Sequence, residues 1–198
     1  MTRSADYHHG NLHQALIARA IELISEGGVE SVSLRSIARD LGVSHAAPTR
    51  HFRSKGDLLL AIAAEGVDAL LQAALSHAGS TELSALGKLK ALAQGYVGWA
   101  KANPAHHLLL RNRDVMRHAN EQLKEKLKDY AQLQQALVAK ARAEGWRSDT
   151  SERLILMQII AMTAGLAFMV ADPLYEVPLG GKPEEDEIQE VINDFFSK

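Results

Sequence analysis

The glycine at position 42 constrains this chain most. It divides the stretch from Ser31 to Lys55 into two short segments that have to turn sharply against each other. On its N-terminal side Leu34, Ile37, Ala38 and Leu41 recur at three- and four-residue spacing behind Ser33, a suitable N-cap, so the spacing predicts a short helix with one buried face. Gly42 then takes left-handed backbone without steric cost, and Val43 is placed to fill the inside of the turn. Beyond it Ser44 is the expected cap of a second helix running through Phe52. Pro48 falls in or just past its first turn, where a missing N–H costs at most the first intrahelical bond. Phe52 is the apolar anchor of that helix, and Ser54 and Asp57 stand at capping-box spacing where the next helix begins. Two helices about one glycine turn form a helix-turn-helix, which makes DNA the leading partner.

The outward positions of the second helix are His45, Ala46, Thr49 and Arg50, with His51 near its end. Imidazoles, a guanidinium, a hydroxyl and methyl groups on a helix narrow enough for the major groove are what base-edge and phosphate contacts require. Ala46 and Ala47 are small enough to lie close to the groove floor. A plain helical hairpin with solvated polar residues also contains a glycine turn. What separates the two readings is the order of cap, apolar spacing, glycine, second cap and anchor.

This stretch, with Asn11 to Ile24 before it and Lys55 to Ile62 after it, resembles the N-terminal domain of TetR/AcrR-type transcriptional repressors. The residues that carry the resemblance are S-L-R-S-I-A-R-D-L-G-V-S-H-A-A-P-T-R-H-F-R-S-K and the subsequent D-L-L-L-A-I, while the remainder matches only in helical pattern and length. The resemblance implies an all-α fold: an N-terminal three-helix helix-turn-helix DNA-binding domain over residues 1–55, and a larger C-terminal helical domain for ligand binding and dimerisation over residues 56–198. It also implies that Arg35 and Lys55 clamp phosphates, and that Ser44, His45, Ala46, Ala47, Thr49, Arg50 and His51 face double-stranded DNA. One position departs from the pattern. The family usually carries an aromatic, most often tyrosine, where this chain has Thr49, which keeps a hydroxyl but loses reach and stacking surface.

Composition fits a small regulator. At 198 residues the chain can bury a sizeable core in one domain or in two unequal ones, and with no cysteine it has no disulfide or thiolate chemistry. The first apolar run, Leu16 to Ile24, is interrupted by Arg19 and Glu22, so no signal peptide is expected and a soluble, cytoplasmic protein is. Net charge is −2, but residues 1–55 hold seven Lys or Arg against five acids and so carry +2, with five of the nine histidines. A head this modestly basic predicts salt-sensitive binding that gains from two heads per operator.

Helix 1 is expected from Asn11, with Gln14 at capping-box distance and Leu12, Leu16, Ala20, Leu23 and Ile24 on one face, ending at Gly27-Gly28. The preceding Tyr7-His8-His9-Gly10 reads as a frayed tail or a DNA-contacting arm. No third ligand stands at metal-site spacing beside its two histidines, so no metal or cofactor is expected. From Lys55 to about Ala78 one long amphipathic helix should join head to body. Further helices are expected from Glu82 to Ala102, from Ala105 to Asn112, and as one long charged helix from about Val115 to Glu144, stopped by Gly145. Leu154 to Ala171 is near membrane-span length, but Gln158, Thr163 and the Asp172-Pro173 stop favour a helix buried on two faces, and no membrane partner is expected. After a Pro178-to-Pro183 linker, the tail sets Ile188, Val191, Ile192, Phe195 and Phe196 on one face.

Two apolar-faced C-terminal helices without an obvious partner in the chain suggest pairing with a second copy, which the resemblance also implies: a homodimer through its last two long helices. A two-fold dimer sets two recognition helices in successive major grooves and so matches a palindromic operator. The resemblance further implies a small-molecule effector whose binding releases DNA. Tyr96, Trp99, His107, Leu110, Met162 and Phe168 are the ligand candidates, with His106 and Trp146 behind them, and a pocket so apolar favours a hydrophobic or amphipathic effector. An enzyme is the competing class, but the polar cluster His106-His107 with Arg111 to Asp114 is accompanied by no phosphate loop, nucleophile elbow or metal triplet. A helical adaptor without DNA is the other alternative, and it predicts no salt-dependent DNA binding.

Overall fold

The computed structural model describes residues 12–79, 83–171 and 176–197, and among these every regular element is helical. Helix α1 (Leu12–Gly27) buries Leu16, Ile17, Ala20 and Ile24. Its expected cap Asn11 and the Tyr7–Gly10 arm lie outside the described residues. The helix stops where Gly28, at φ +74°, closes its N–H onto the Ile24 carbonyl at 2.8 Å. A 3₁₀ turn over Val29–Ser31 leads to α2 (Leu34–Asp40), which buries Ile37 and Ala38 as the spacing predicts. Ser33 is the N-cap, but it acts through its carbonyl, which accepts from Ile37 N–H, rather than through a side-chain cap.

Gly42 sits at φ +67° and completes a Schellman motif: its own N–H donates to Arg39 O at 3.1 Å, and Val43 N–H reaches back to Ala38 O at 3.0 Å. The segment after the turn differs from the helix expected there. Residues 44–52 do not form an α-helix; after turns at 45–47, a single 3₁₀ turn spans Pro48–Arg50. Pro48 has no N–H to give the Ser44 carbonyl, which instead accepts from Ala47 N–H at 2.9 Å, so the ladder starts in the tighter register. Backbone angles at Ala47 (−65°, −45°) and His51 (−103°, −42°) remain in the right-handed helical region.

Helix α3 (Lys55–Ala78) matches its expected bounds. Ser54 Oγ accepts from Asp57 N–H at 3.1 Å, while the Asp57 carboxylate accepts from Arg53 N–H, also at 3.1 Å. Next come α4 (Ala85–Ala102) and α5 (Pro104–Arg111), the expected start of α4 at Glu82 falling outside the described residues. The long helix expected over Val115–Glu144 is two helices, α6 (Arg113–Arg117) and α7 (Glu121–Ala143). Asn120 breaks it because its side chain captures Leu123 N–H at 2.8 Å, a bond it makes only as an N-cap. Asn112 caps α6 in the same way, accepting from Asp114 and Val115 N–H. Helix α8 spans Glu152–Ala171; a short α9 (Glu176–Leu179) takes up the first two residues of the expected linker, and α10 (Glu185–Ser197) closes the chain. Asp172-Pro173 lies outside the described residues.

The chain divides into two compact units within α3. The first runs to Gly66 and adds Ala105–Ala119; the second holds Val67–Pro104 and Asn120 onward. In the first, Leu16, Ile17, Ile37, Phe52, Leu58, Ile62 and Leu109 form one core from α1, α2, α3 and α5. In the second, Leu89, Val97, Val138, Ile155, Ile159, Ile188, Ile192 and Phe196 join α4, α7, α8 and α10. By length and composition α3 and α8 could each cross a membrane, yet both bury apolar residues in these cores, and Thr163 turns its hydroxyl inward onto Ile159 O at 2.9 Å.

Candidate nucleic-acid interface

The Schellman turn at Gly42 delivers the residues expected to meet DNA. Ser44, His45, Ala46, Thr49, Arg50 and His51 are exposed, Ala47 is half-buried, and Pro48 and Phe52 are buried behind them. Two apolar anchors thus fix a short segment whose polar side chains point to solvent. Arg35 lies exposed on α2, and Lys55 is half-buried at the start of α3. Within this turn the Thr49 hydroxyl donates back to Ala46 O at 2.8 Å. In this arrangement its single proton is turned to the backbone, and donating to a phosphate oxygen would require the hydroxyl to give up that bond.

Two residues around this segment carried no signal in the sequence. Glu30, in the 3₁₀ turn Val29–Ser31, places its carboxylate 3.3 Å from Lys55 Nζ. His13, on the first turn of α1, sets its ring against Phe52 (centroids 4.8 Å apart) and edge-on to His51 (5.9 Å). Periodicity could have shown only that His13 precedes the buried pair Leu16 and Ile17 by one turn. Arg19, also on α1, donates to Glu22 at 2.8 Å and to Asp40 at 3.1 Å, tying α1 to the end of α2 beneath the glycine turn.

The ligand candidates separate into two groups. Trp99 is buried on α4 with Tyr96 half-buried beside it, ring centroids 6.1 Å apart; Tyr96 and Met162 of α8 pack against the core of the second unit, and Phe168 of α8 is half-buried. Tyr130 on α7 lies close by, its phenol pushed up to about 12 by burial and then by Tyr96. His107 and Leu110 belong instead to the first unit, Leu110 against its core and His107 buried. Burial, and secondarily the charge of Arg111, lowers the His107 imidazole to about 4, so it is neutral at physiological pH. Burial also lowers His106, against the opposing pull of Glu65. Trp146 stacks on Phe196 at 5.8 Å and serves the second core.

A cavity of about 340 Å³ opens in the first unit between Val29-Glu30, the start of α3 and α6. Another of about 410 Å³ lies in the second unit between the end of α8, Leu179–Glu184 and α10. None of the six ligand candidates lines either of these. Among the described residues no group of three His, Asp or Glu stands at metal-binding distance.

Comparison with known proteins centres on the same segment. Residues 16–62 match the family described as bacterial regulatory proteins, tetR family. Over 159 residues, 77% of this chain and 79% of the relative, the sequence is 28% identical to the nucleoid occlusion factor SlmA of Escherichia coli K12. A solved structure of a protein with unknown function from Rhodococcus sp. RHA1 is 32% identical, covers 98% of both chains and superposes with a TM-score of 0.72. AibR, solved in complex with isovaleryl coenzyme A and operator DNA, shares the fold at a TM-score of 0.73 and 17% identity, over 93% of this chain and 97% of its own.

Proposed function

Because this chain belongs to the TetR family of bacterial regulatory proteins and is a DNA-binding transcriptional regulator rather than an enzyme, we propose that it is a homodimeric repressor of a palindromic operator, released by a small, largely apolar effector. Residues 1–55 bind DNA and residues 56–198 bind the effector and the second copy; the protein acts on DNA in the cytoplasm. The observation that carries this reading is the glycine turn at Gly42 with His45, Thr49, Arg50 and His51 exposed over a buried Pro48 and Phe52. Arg50 is the group for a base edge, His45 and His51 reach base edges or phosphate, Arg35 and Lys55 take phosphates, and Ser44, Ala46, Ala47 and Thr49 line the approach.

Support for the homodimer comes from α8, where Leu154, Met157 and Ile160 are 46%, 55% and 56% exposed, and from Val191 of α10 at 47%. Large side chains left outward along one helix are apolar surface that a second copy covers. For the effector, Tyr96, Trp99, Met162 and Phe168 bring aromatic rings and a flexible thioether to one unit, the side-chain types that suit an apolar ligand. His107, buried, and Leu110, packed against the core of the first unit, complete the proposed ligand set.

Selection of bound sites from random DNA duplexes near physiological salt tests the reading. Recovery of a palindrome is the expected result. Arg50→Ala loses roughly 1–3 kcal/mol of specific binding if it meets a base, whereas Lys55→Ala weakens all sequences alike. A folded dimer that enriches no duplex would overturn the proposal.

A further inference from the structure

We infer that His13 of α1 is a positioning residue for DNA, holding the His51 imidazole in one orientation at the end of the recognition segment. The inference rests on the reading that residues 44–55 face DNA. Phe52 is 4% exposed and forms a fixed floor. The His13 ring lies over that floor, 4.8 Å from the Phe52 centroid at an interplanar angle of 37°, and meets His51 edge-on at 5.9 Å and 70°. Edge-on contacts between rings are a favoured geometry, with the edge of one directed at the face of the other.

Both ends of this bracket are tied to the core. His13 precedes Leu16 and Ile17, at 0% and 2% exposure, by one helical turn, so its helix is anchored immediately beyond it. The His51 backbone is held by its N–H donating to Pro48 O at 2.9 Å. Without His13 the exposed His51 ring would rotate between staggered positions and lose that freedom on binding, which lowers affinity. Thr49 beside them is short and turns its hydroxyl to Ala46 O, so Arg50 and His51 are the longer donors of this part of the segment. His13 is exposed beside His51 but acts through it.

The test measures affinity for the duplex recovered by selection from random DNA, using the full chain, Arg50→Ala, His13→Ala, His13→Phe, His51→Ala and the double His13→Ala/His51→Ala. The expected result is a roughly 3- to 10-fold loss for His13→Ala, near wild-type binding for His13→Phe, which keeps the ring, and a double variant no weaker than His51→Ala alone. A His13→Phe protein as weak as His13→Ala, or a double variant carrying both losses in full, would overturn the positioning role. If the wild-type chain selects a duplex that Arg50→Ala loses while His13→Ala binds it normally, this inference alone falls. If no duplex is enriched by wild type, the DNA reading falls and takes this inference with it.

Discussion

The Lys55 ammonium lies 3.3 Å from the Glu30 carboxylate, although the two are 25 residues apart in the chain. Glu30 has its side chain 94% exposed and Lys55 has 34%, so the acid is a solvated countercharge on a more buried cation. Exposed pairs of this kind add little to stability, but one of them competes directly with any phosphate that approaches Lys55. Glu30→Gln should therefore raise affinity for operator and random duplexes equally, by roughly 2- to 4-fold at moderate salt. Fluorescence anisotropy on both duplexes checks this; a loss of affinity would mean that Glu30 serves to place Lys55 rather than to compete for it.

Two glycines should fail as alanine for different reasons. At Gly42 an added Cβ meets nothing within 4 Å, so Gly42→Ala costs only the left-handed backbone at φ +67°, about 1–2 kcal/mol. At Gly66 a Cβ would stand 2.8 Å from His106 Cβ across the α3–α5 contact of the first unit, and Gly66→Ala should cost about 1–3 kcal/mol through overpacking. Because the closest atom is the His106 Cβ itself, His106→Gly, referred to the His106→Gly single variant, should recover most of the second loss and none of the first. Urea melts of the single variants and of each glycine variant combined with His106→Gly distinguish these outcomes.

His107 makes stability depend on pH. Its folded pKa of about 4 lies below the ordinary 6.5, so the unfolded chain takes up a proton before the folded one does. The stabilisation is complete above pH 6.5 and is lost as pH falls from there towards 4, by up to about 3 kcal/mol. Carboxylates add their own acid sensitivity, so the measurement is the difference between wild type and His107→Gln in urea melts at pH 7.5, 5.5 and 4.5. The variant should show the shallower decline; parallel curves would show that His107 is not held neutral.

The outward face of α8 should fix the oligomeric state. Met157 and Ile160 are 55% and 56% exposed, so placing charge there leaves each folded chain intact. Met157→Glu with Ile160→Glu should convert a dimer to a folded monomer in analytical ultracentrifugation and weaken operator binding by more than about 10-fold, since each head alone grips few phosphates. A dimer that persists would move the interface to another surface.

Much of the architecture was legible because it is local. The α3 boundaries at Lys55 and Ala78, the Gly42 turn and the stripe Leu34, Ile37, Ala38, Leu41 follow from caps, periodicity and a residue tolerant of positive φ, each settled within a few neighbours. Where two local preferences competed, pattern alone failed. The proline at 48 turned an expected α-helix into a 3₁₀ turn, and Asn120 split the expected long helix, because a missing donor and a capping side chain outweighed good apolar spacing.

An all-helical chain whose Gly42 turn presents His45, Thr49, Arg50 and His51 could be read from the residues alone, since short-range backbone preference and helical spacing suffice for that. Folding in three dimensions added the rest: Glu30 meets Lys55, His13 lies over Phe52 and against His51, the Thr49 hydroxyl closes on Ala46, and Leu110 packs against the core of the first unit. Apart from the Thr49 bond, which is local, these contacts draw together separate segments. No periodicity encodes them; they arise when helices bury their apolar faces together and carry the exposed side chains at their edges into reach.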